Sequence, residues 1–566
     1  MFSDQSRWWG WGDPAVSTPL EDRPQLAAYL HDKLQLQGAP SGQAQSGSAQ
    51  GLPVPELARV TLPPIALDDA ARAAFEKALD GAVLDQSLEG RVRHAAGKSY
   101  VDLVRLRSGT LSAAPDAVLH PTSVAQVERI LAVAAERGVA VVPFGGGTSV
   151  VGGVQPARGR HRAVVTLDTR SLARLVEVHP KSLTAVAEAG IMGPALEREL
   201  ARHGLSLGHF PQSFEFSTLG GWIAARSAGQ CSTGYGRIEE LVHHLDVIAP
   251  GQSFTTAPPV PSATGPNLRE LFVGSEGVLG VITRATVRVR PIPEARLLES
   301  AFFRSWSEGL EAARALAQGG PKPTMIRLSD PQETEMLLAA APQPHDLLGK
   351  LKRRLSMWFL KRKVGEAAPG CVMIMDFEGQ AAPTRALRRK ARTELAKRAV
   401  AVAGEGPARS WFHERFRHPY LRDDLMGRGV MVETLETATT WDGLEALYAA
   451  VRGALHKALE AAGTPGLVLC HLSHTYAQGA SLYFTVMARA QRGNEISQWQ
   501  ALKTAATDAI AREKAALSHH HGIGLDHARW MKEQHGAAGV LLLSALKQSL
   551  DPAGVLNPGK LIGSDT

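Results

Sequence analysis

An α+β fold is predicted by three features of the sequence. Between Pro115 and Pro291, β-rich runs alternate with runs whose apolar residues recur at helical spacing. Within that region a strand-like VVPF (141–144) runs straight into Gly145, Gly146 and Gly147, followed by Thr148 and Ser149. From about 292 to 515 long basic helices are mixed with strands such as CVMIMDFEG (371–379) and ASLYFTVMA (480–488). A chain of 566 residues is too long for a single core and predicts two or three domains.

In order along the chain, 1–36 is short and polar with a tryptophan cluster at Trp8, Trp9 and Trp11, and 37–53 reads as a Gly/Ser/Gln/Ala linker. LDDAARAAFEKALDG, from Leu67, predicts an amphipathic helix with Asp68 or Asp69 at its start and Gly81 at its end. SVAQVERILAVAAERG places Val124, Val127, Ile130, Leu131 and Ala134 on one helical face. AVVTLDT (163–169) and TAVAEAG (184–190) predict strands, GPALERELARHG a helix closed by Gly204, and the alternation over 281–290 a strand ended by Pro291. A last helix, VLLLSALKQSLDP, precedes the terminal turn VLNPGKLIG.

Composition bounds the function. The chain is 44% hydrophobic and 21% charged, its three cysteines (Cys231, Cys371, Cys470) lie far apart, and no apolar run reaches the roughly 18 residues of a membrane span. These features predict a reducing, cytoplasmic setting, without signal peptide, transmembrane helix or recognisable peroxisomal signal. A net charge of +7 suits an anionic partner, a phosphorylated substrate or a membrane surface, while no nucleic-acid motif is present. The stretch 347–363 sets leucines and aromatics at helical spacing among lysines and arginines without an acid, a pattern shared by interfacial membrane helices and ordinary surface helices. The three glycines can turn bare backbone N–H groups onto an anion. Val150 stands where the dinucleotide fingerprint needs its third glycine, and no Gly-Lys-Ser/Thr follows, so neither standard phosphate motif applies.

Four strings then combine: PFGGGTSVVGG (143–153), PQSFEFSTLGG (211–221), GSEGVLGVIT (274–283) and LSHHHGIG (517–524). In this order they resemble the FAD-binding proteins of the vanillyl-alcohol-oxidase type, and within them the alkylglycerone-phosphate synthases, which also carry strings similar to FEFSTLGGW, TYAQGASLYF and SHHHGIG. The likeness runs from the Trp-Gly-Trp-Gly at 9–12 to about 550. It implies a two-subdomain FAD-binding domain and an α+β substrate cap. The expected division is an N-terminal segment (1–110), the FAD-binding domain (111–291), the cap (292–515) and a C-terminal segment (516–566) returning to the FAD domain.

The resemblance also implies roles. Pro143, Gly145, Gly146, Gly147, Thr148 and Ser149 would hold the FAD pyrophosphate. Pro211, Ser213, Thr218, Gly220 and Gly221 would line the flavin, and Glu276, Gly280, Val281 and Ile282 its adenosine side. No histidine or cysteine lies in the glycine loop, so FAD is expected to be non-covalent. The reaction implied replaces the acyl chain of acyl-dihydroxyacetone phosphate by a long-chain fatty alcohol on flavin N5, without net redox. Tyr483 matches the family's acid/base; His520 and His521 join it as proton carriers; Arg422 matches the arginine beside N5; Arg327 and His519 would bind substrate. Pattern alone offers each a plainer part: a packing strand tyrosine, a loop of exposed histidines, an arginine paired to Asp423 or Asp424, a strand-end charge. Adjacent histidines lack helical metal spacing, and no metal is expected. The expected partners are these two substrates and a membrane surface, and a homodimer is left open. The rival activity on this fold is FAD-linked dehydrogenation of a 2-hydroxy acid, and a non-catalytic scaffold is a third reading.

Overall fold

The computed structural model describes residues 6–36, 51–256, 260, 262–341, 351, 355, 358, 362–365 and 370–563. Most of the expected linker (37–53) and of the basic stretch (347–363) lies outside the described residues. Three sheets carry the architecture. In the first, β1 (Val83–Asp85), β2 (Ala117–His120), β3 (Val139–Phe144) and β4 (Ala163–Asp168) lie in the order β1-β2-β4-β3. β2, β4 and β3 run parallel, and β1 pairs antiparallel to β2. Parallel neighbours need a crossover, and the helix Val124–Arg137 supplies one. Ser123 caps its first turn by accepting from Gln126 N, and Gly138 ends it at φ 62°. The expected helix at 67–81 is Asp69–Leu79, capped by the Asp68 side chain.

The second sheet draws on β5 (Leu175–His179), β6 (Thr184–Glu188), β7 (Leu205–Ser206), β8 (Val242–Ala249), β9 (Gln252–Thr255), β10 (Val281–Arg288) and β11 (Arg290–Pro291). Its order is the antiparallel β5-β6-β10-β8-β9, and β7 pairs with β11 apart from it. The helices Gly193–Ala201 and Leu219–Ala224 bury Leu196, Leu200, Trp222 and Ile223 with Ala185, Ala187, Val247 and Ala285 of this sheet.

All strands of the third sheet fall within 295–489: β12 (Ala295–Phe303), β13 (Met325–Ser329), β14 (Cys371–Gly379), β15 (Ala401–Val402), β16 (Val430–Thr440), β17 (Gly466–Thr475) and β18 (Gly479–Arg489). They are antiparallel in the order β15-β12-β14-β13-β17-β18-β16. Side chains alternate across a strand, and this sheet uses the alternation to divide its labour. Leu482, Phe484 and Val486 of β18, with Cys470 and Leu472 of β17, pack under the helices Trp306–Gln318, Leu444–Ala461 and Glu495–Arg512. Tyr483, Thr485 and Met487, with His471 and Ser473, face a cavity on the other side. The fold is therefore α+β, two sheet-and-helix layers followed by a seven-stranded sheet that caps them.

The described residues of 1–110 form no core of their own. The helix Asp69–Leu79 and β1 belong with the first sheet, whereas Trp8, Val92 and the helix Tyr100–Arg107 are buried with the third. The C-terminal segment returns to the first sheet, where Val141 N donates to Val555 O (2.7 Å) and Asn557 N to Val141 O (2.8 Å). Among the described residues no helix is long and apolar enough to cross a membrane.

Candidate active site

A cavity of about 450 Å³ lies between the layers, and every residue expected in the site except His519 borders it. At one end the glycine loop leaves β3. A Cβ at Gly145 would collide with the Thr218 hydroxyl, one at Gly146 with the Phe216 carbonyl, and one at Gly147, at φ +66°, with the Phe144 ring. Only glycine fits at these three positions, and the result is bare backbone facing the cavity. Thr218 caps the helix Leu219–Ala224 through Gly221 N (3.2 Å), and Ser149 Oγ accepts from Gly153 N (3.0 Å). Backbone amides, helix start and hydroxyls together make a concavity able to hold an anion.

At the cap end, strand register builds a row of three polar side chains. His471 on β17 lies opposite Tyr483 on β18, and Tyr483 lies opposite Glu436 on β16. The Tyr483 ring stacks on the His471 imidazole (4.8 Å, 18°) and stands edge-on to His521 (5.6 Å). Burial pushes the phenol up to about 12, with Glu436 and Glu433 adding to the shift and a Thr434 hydrogen bond opposing it. At neutral pH it is a protonated group ready to donate.

Glu436, one of two acids in β16 and not singled out by local spacing, organises the histidines. Its carboxylate accepts from Ser518 Oγ (2.7 Å), His519 N (2.5 Å), His520 N (2.9 Å) and His521 N (2.8 Å). Burial works against the charge, but the histidines and these N–H donors hold the carboxyl well below its usual range. Two residues on, Glu276 takes the same loop from the other side, accepting from Ile523 N and from Gly524 N (2.7 Å). Gly522 and Gly524 turn there at φ 86° and 55°. Glu276 borders the cavity, yet its carboxylate is committed to the loop, and burial raises it to about 7. Burial also lowers His520, and lowers His521 to about 3, so both rings are neutral near pH 7 and can accept a proton. His519 stands behind them: its Nε2 is 2.8 Å from the Tyr476 hydroxyl and its Nδ1 2.9 Å from His520 Nδ1. His519 does not border the cavity, and its ring nitrogens are taken by Tyr476 and His520.

Two arginines complete the site. Arg422, on the helix His418–Gly427, donates through Nη1 to Lys98 O (2.6 Å), while its buried Nε and Nη2 have no partner among the described residues. The neighbouring acids are taken elsewhere, Asp424 by Arg428 and Asp423 by Arg7 and Arg107. Arg327 is bound to Glu333 Oε1 (2.8 Å) and 2.8 Å from His471 Nε2, with its Nε lacking a partner among the described residues. Burial alone would raise Glu333, but Arg327 and His471 outweigh it and hold it at about 2. Unpaired buried donors are rare, and here they converge on a cavity that also offers the glycine cradle. The residues fit an anionic dinucleotide with a polar ring system.

Residues 292–561 match the family described as FAD linked oxidases, C-terminal domain, and 115–255 the family described as FAD binding domain. The chain is 30% identical to the alkyldihydroxyacetonephosphate synthases of Dictyostelium discoideum and of Trypanosoma brucei brucei, in each case over 99% of this chain and 93% of the relative. A solved structure of an alkyldihydroxyacetonephosphate synthase superposes with a TM-score of 0.80 at 28% identity, covering 98% of this chain and 99% of that one. The cradle, the capped sheet and these matches agree: the chain belongs to the alkyldihydroxyacetonephosphate synthase family, FAD-dependent enzymes of ether lipid synthesis.

Proposed function

We propose that this chain replaces the acyl group of acyl-dihydroxyacetone phosphate by a long-chain fatty alcohol, releasing a fatty acid and forming the ether without net oxidation. The observation that carries this reading is the composition of one cavity. It joins the glycine cradle, the Tyr483–His520–His521 group and an apolar end formed by Met336, Leu421, Leu425, Val432 and Met487. FAD, held without a covalent link, supplies the ring nitrogen N5 on which the transfer turns. Tyr483 moves the C1 proton of the substrate, and the neutral imidazoles of His520 and His521 take the hydroxyl proton of the incoming alcohol. Arg327 meets the substrate phosphate, and Arg422 steadies negative charge on the flavin ring. The apolar end receives the chains. In this reading 111–291 binds FAD, 292–515 binds substrate, and 516–566 brings the histidines between them.

The test is an anaerobic incubation of the purified flavoprotein with palmitoyl-dihydroxyacetone phosphate and radiolabelled hexadecanol. Alkyl product without an electron acceptor is expected. No product, together with flavin bleaching by lactate or glycolate, would replace this reading with hydroxy-acid dehydrogenation. Contact with a membrane is proposed from Leu351, Leu355 and Trp358, which are 55%, 56% and 57% exposed at successive helical positions within the basic stretch. Sedimentation with anionic liposomes should fall when Leu351→Asp and Trp358→Asp are combined, and unchanged sedimentation would refute the contact.

A further inference from the structure

The tryptophan cluster at the start of the chain has no part in the transfer chemistry, yet it is pressed against the site. The strap over 7–13 crosses the helix that carries Arg422 and is locked against it. Trp11 N donates to Asp423 Oδ2 (2.6 Å), and Asp13 N donates to the Tyr420 hydroxyl (3.0 Å). Gly10 and Gly12 lie so close to the Asp423 carboxylate and the Tyr420 hydroxyl that any side chain would overlap them, and Gly12 is held at φ +65°. The Asp423 carboxylate is bracketed by Arg7 and Arg107, each at 3.6 Å, and Arg107 Nε also donates to Trp9 O (3.2 Å).

This anchoring fixes the direction of one side chain. The Trp11 ring is 5% exposed, borders the cavity, and stands edge-on to Phe216 at 5.8 Å. Its indole Nε1 is buried without a partner among the described residues. An indole N–H is a donor only, and when buried it usually finds an acceptor. The Phe216 carbonyl packs on Gly146, which places the Phe216–Trp11 pair beside the glycine cradle. We propose that Trp11 is a cofactor-binding residue whose indole N–H donates to an oxygen of the bound FAD, and that the strap over 7–13 exists to hold it there. The proposal rests on FAD binding alone and would survive failure of the alkyl-transfer reading.

The test compares Trp11→Phe with the unaltered full-length protein, each stripped of flavin and titrated with FAD by fluorescence. The variant keeps the ring against Phe216 and removes the donor, and its FAD Kd is expected to rise about tenfold, the equivalent of about 1.4 kcal/mol. Independently, in the unaltered protein labelled with 15N-tryptophan, the indole resonance that Trp11→Phe deletes should move when FAD alone is added. This second measurement decides if the two disagree. An unmoved resonance with FAD, or one that moves only on adding glycerol phosphate to the loaded protein, would overturn the proposal.

Discussion

Replacing Tyr483 by phenylalanine is expected to lower turnover by about 10²- to 10⁴-fold, the range for loss of a positioned general acid or base. FAD affinity should stay unchanged. The substitution keeps the ring that stacks on His471 and stands edge-on to His521, so the row across β17, β18 and β16 is preserved. What disappears is one hydroxyl, protonated at neutral pH because burial raises it to about 12. Steady-state kinetics paired with a flavin titration separate the two effects. Full turnover in the variant would assign proton transfer to another group, with His471 and His521, at 4.8 and 5.6 Å from the ring, the neighbouring alternatives.

The second large effect is expected at Glu436, which touches no substrate in the proposed reaction. Its carboxylate is the common acceptor for a hydroxyl and three consecutive backbone N–H groups, from Ser518 to His521. Glutamine has nearly the same shape but turns an N–H₂ group toward donors. At least one buried donor then loses its acceptor, at about 1–3 kcal/mol for each group left unpaired. The loop must shift to recover, and a displacement of about 1 Å at a reacting group costs on the order of 10²-fold in rate. Glu436→Gln is therefore expected to lose about that much kcat with its flavin spectrum intact, and to show faster amide exchange at 518–521. Normal protection of those amides with normal kcat would mean that the loop keeps its shape without the charge.

Much of the cofactor side was legible in the sequence because its information is local. Three consecutive glycines, a threonine two residues before Gly220, and a proline-flanked strand each state a backbone requirement within a few residues of the chain. The histidine triplet and the ASLYF string were equally visible, since unusual strings identify themselves. Glu436, His471, Glu333 and Trp11 were not. Glu436 sits in VETLET, where nothing distinguishes it from its neighbour Glu433, and its partners lie 82 to 85 residues away. His471 acquires meaning only by standing opposite Tyr483 in the sheet register. His519 is placed differently from the other two histidines. His520 and His521 border the cavity, but a tight turn does not aim three adjacent side chains one way, and the His519 ring meets the Tyr476 hydroxyl instead.

The alternation of β18 also sets how this enzyme can vary in length. β17 and β18 are joined through the short connection at 476–478 and pair from Gly466–Ala488 to Thr475–Ala480, with one irregularity between Ser473 and Thr475. Inserting or deleting one residue in that connection, if the pairing slipped by one to absorb it, would exchange the two faces of β18. Phe484 would then enter the reaction chamber, and a phenol and a threonine hydroxyl would be driven under the Leu444–Ala461 helix. Changes in steps of two would spare the pattern, so viable hairpin lengths in descendants of this chain should differ by even numbers.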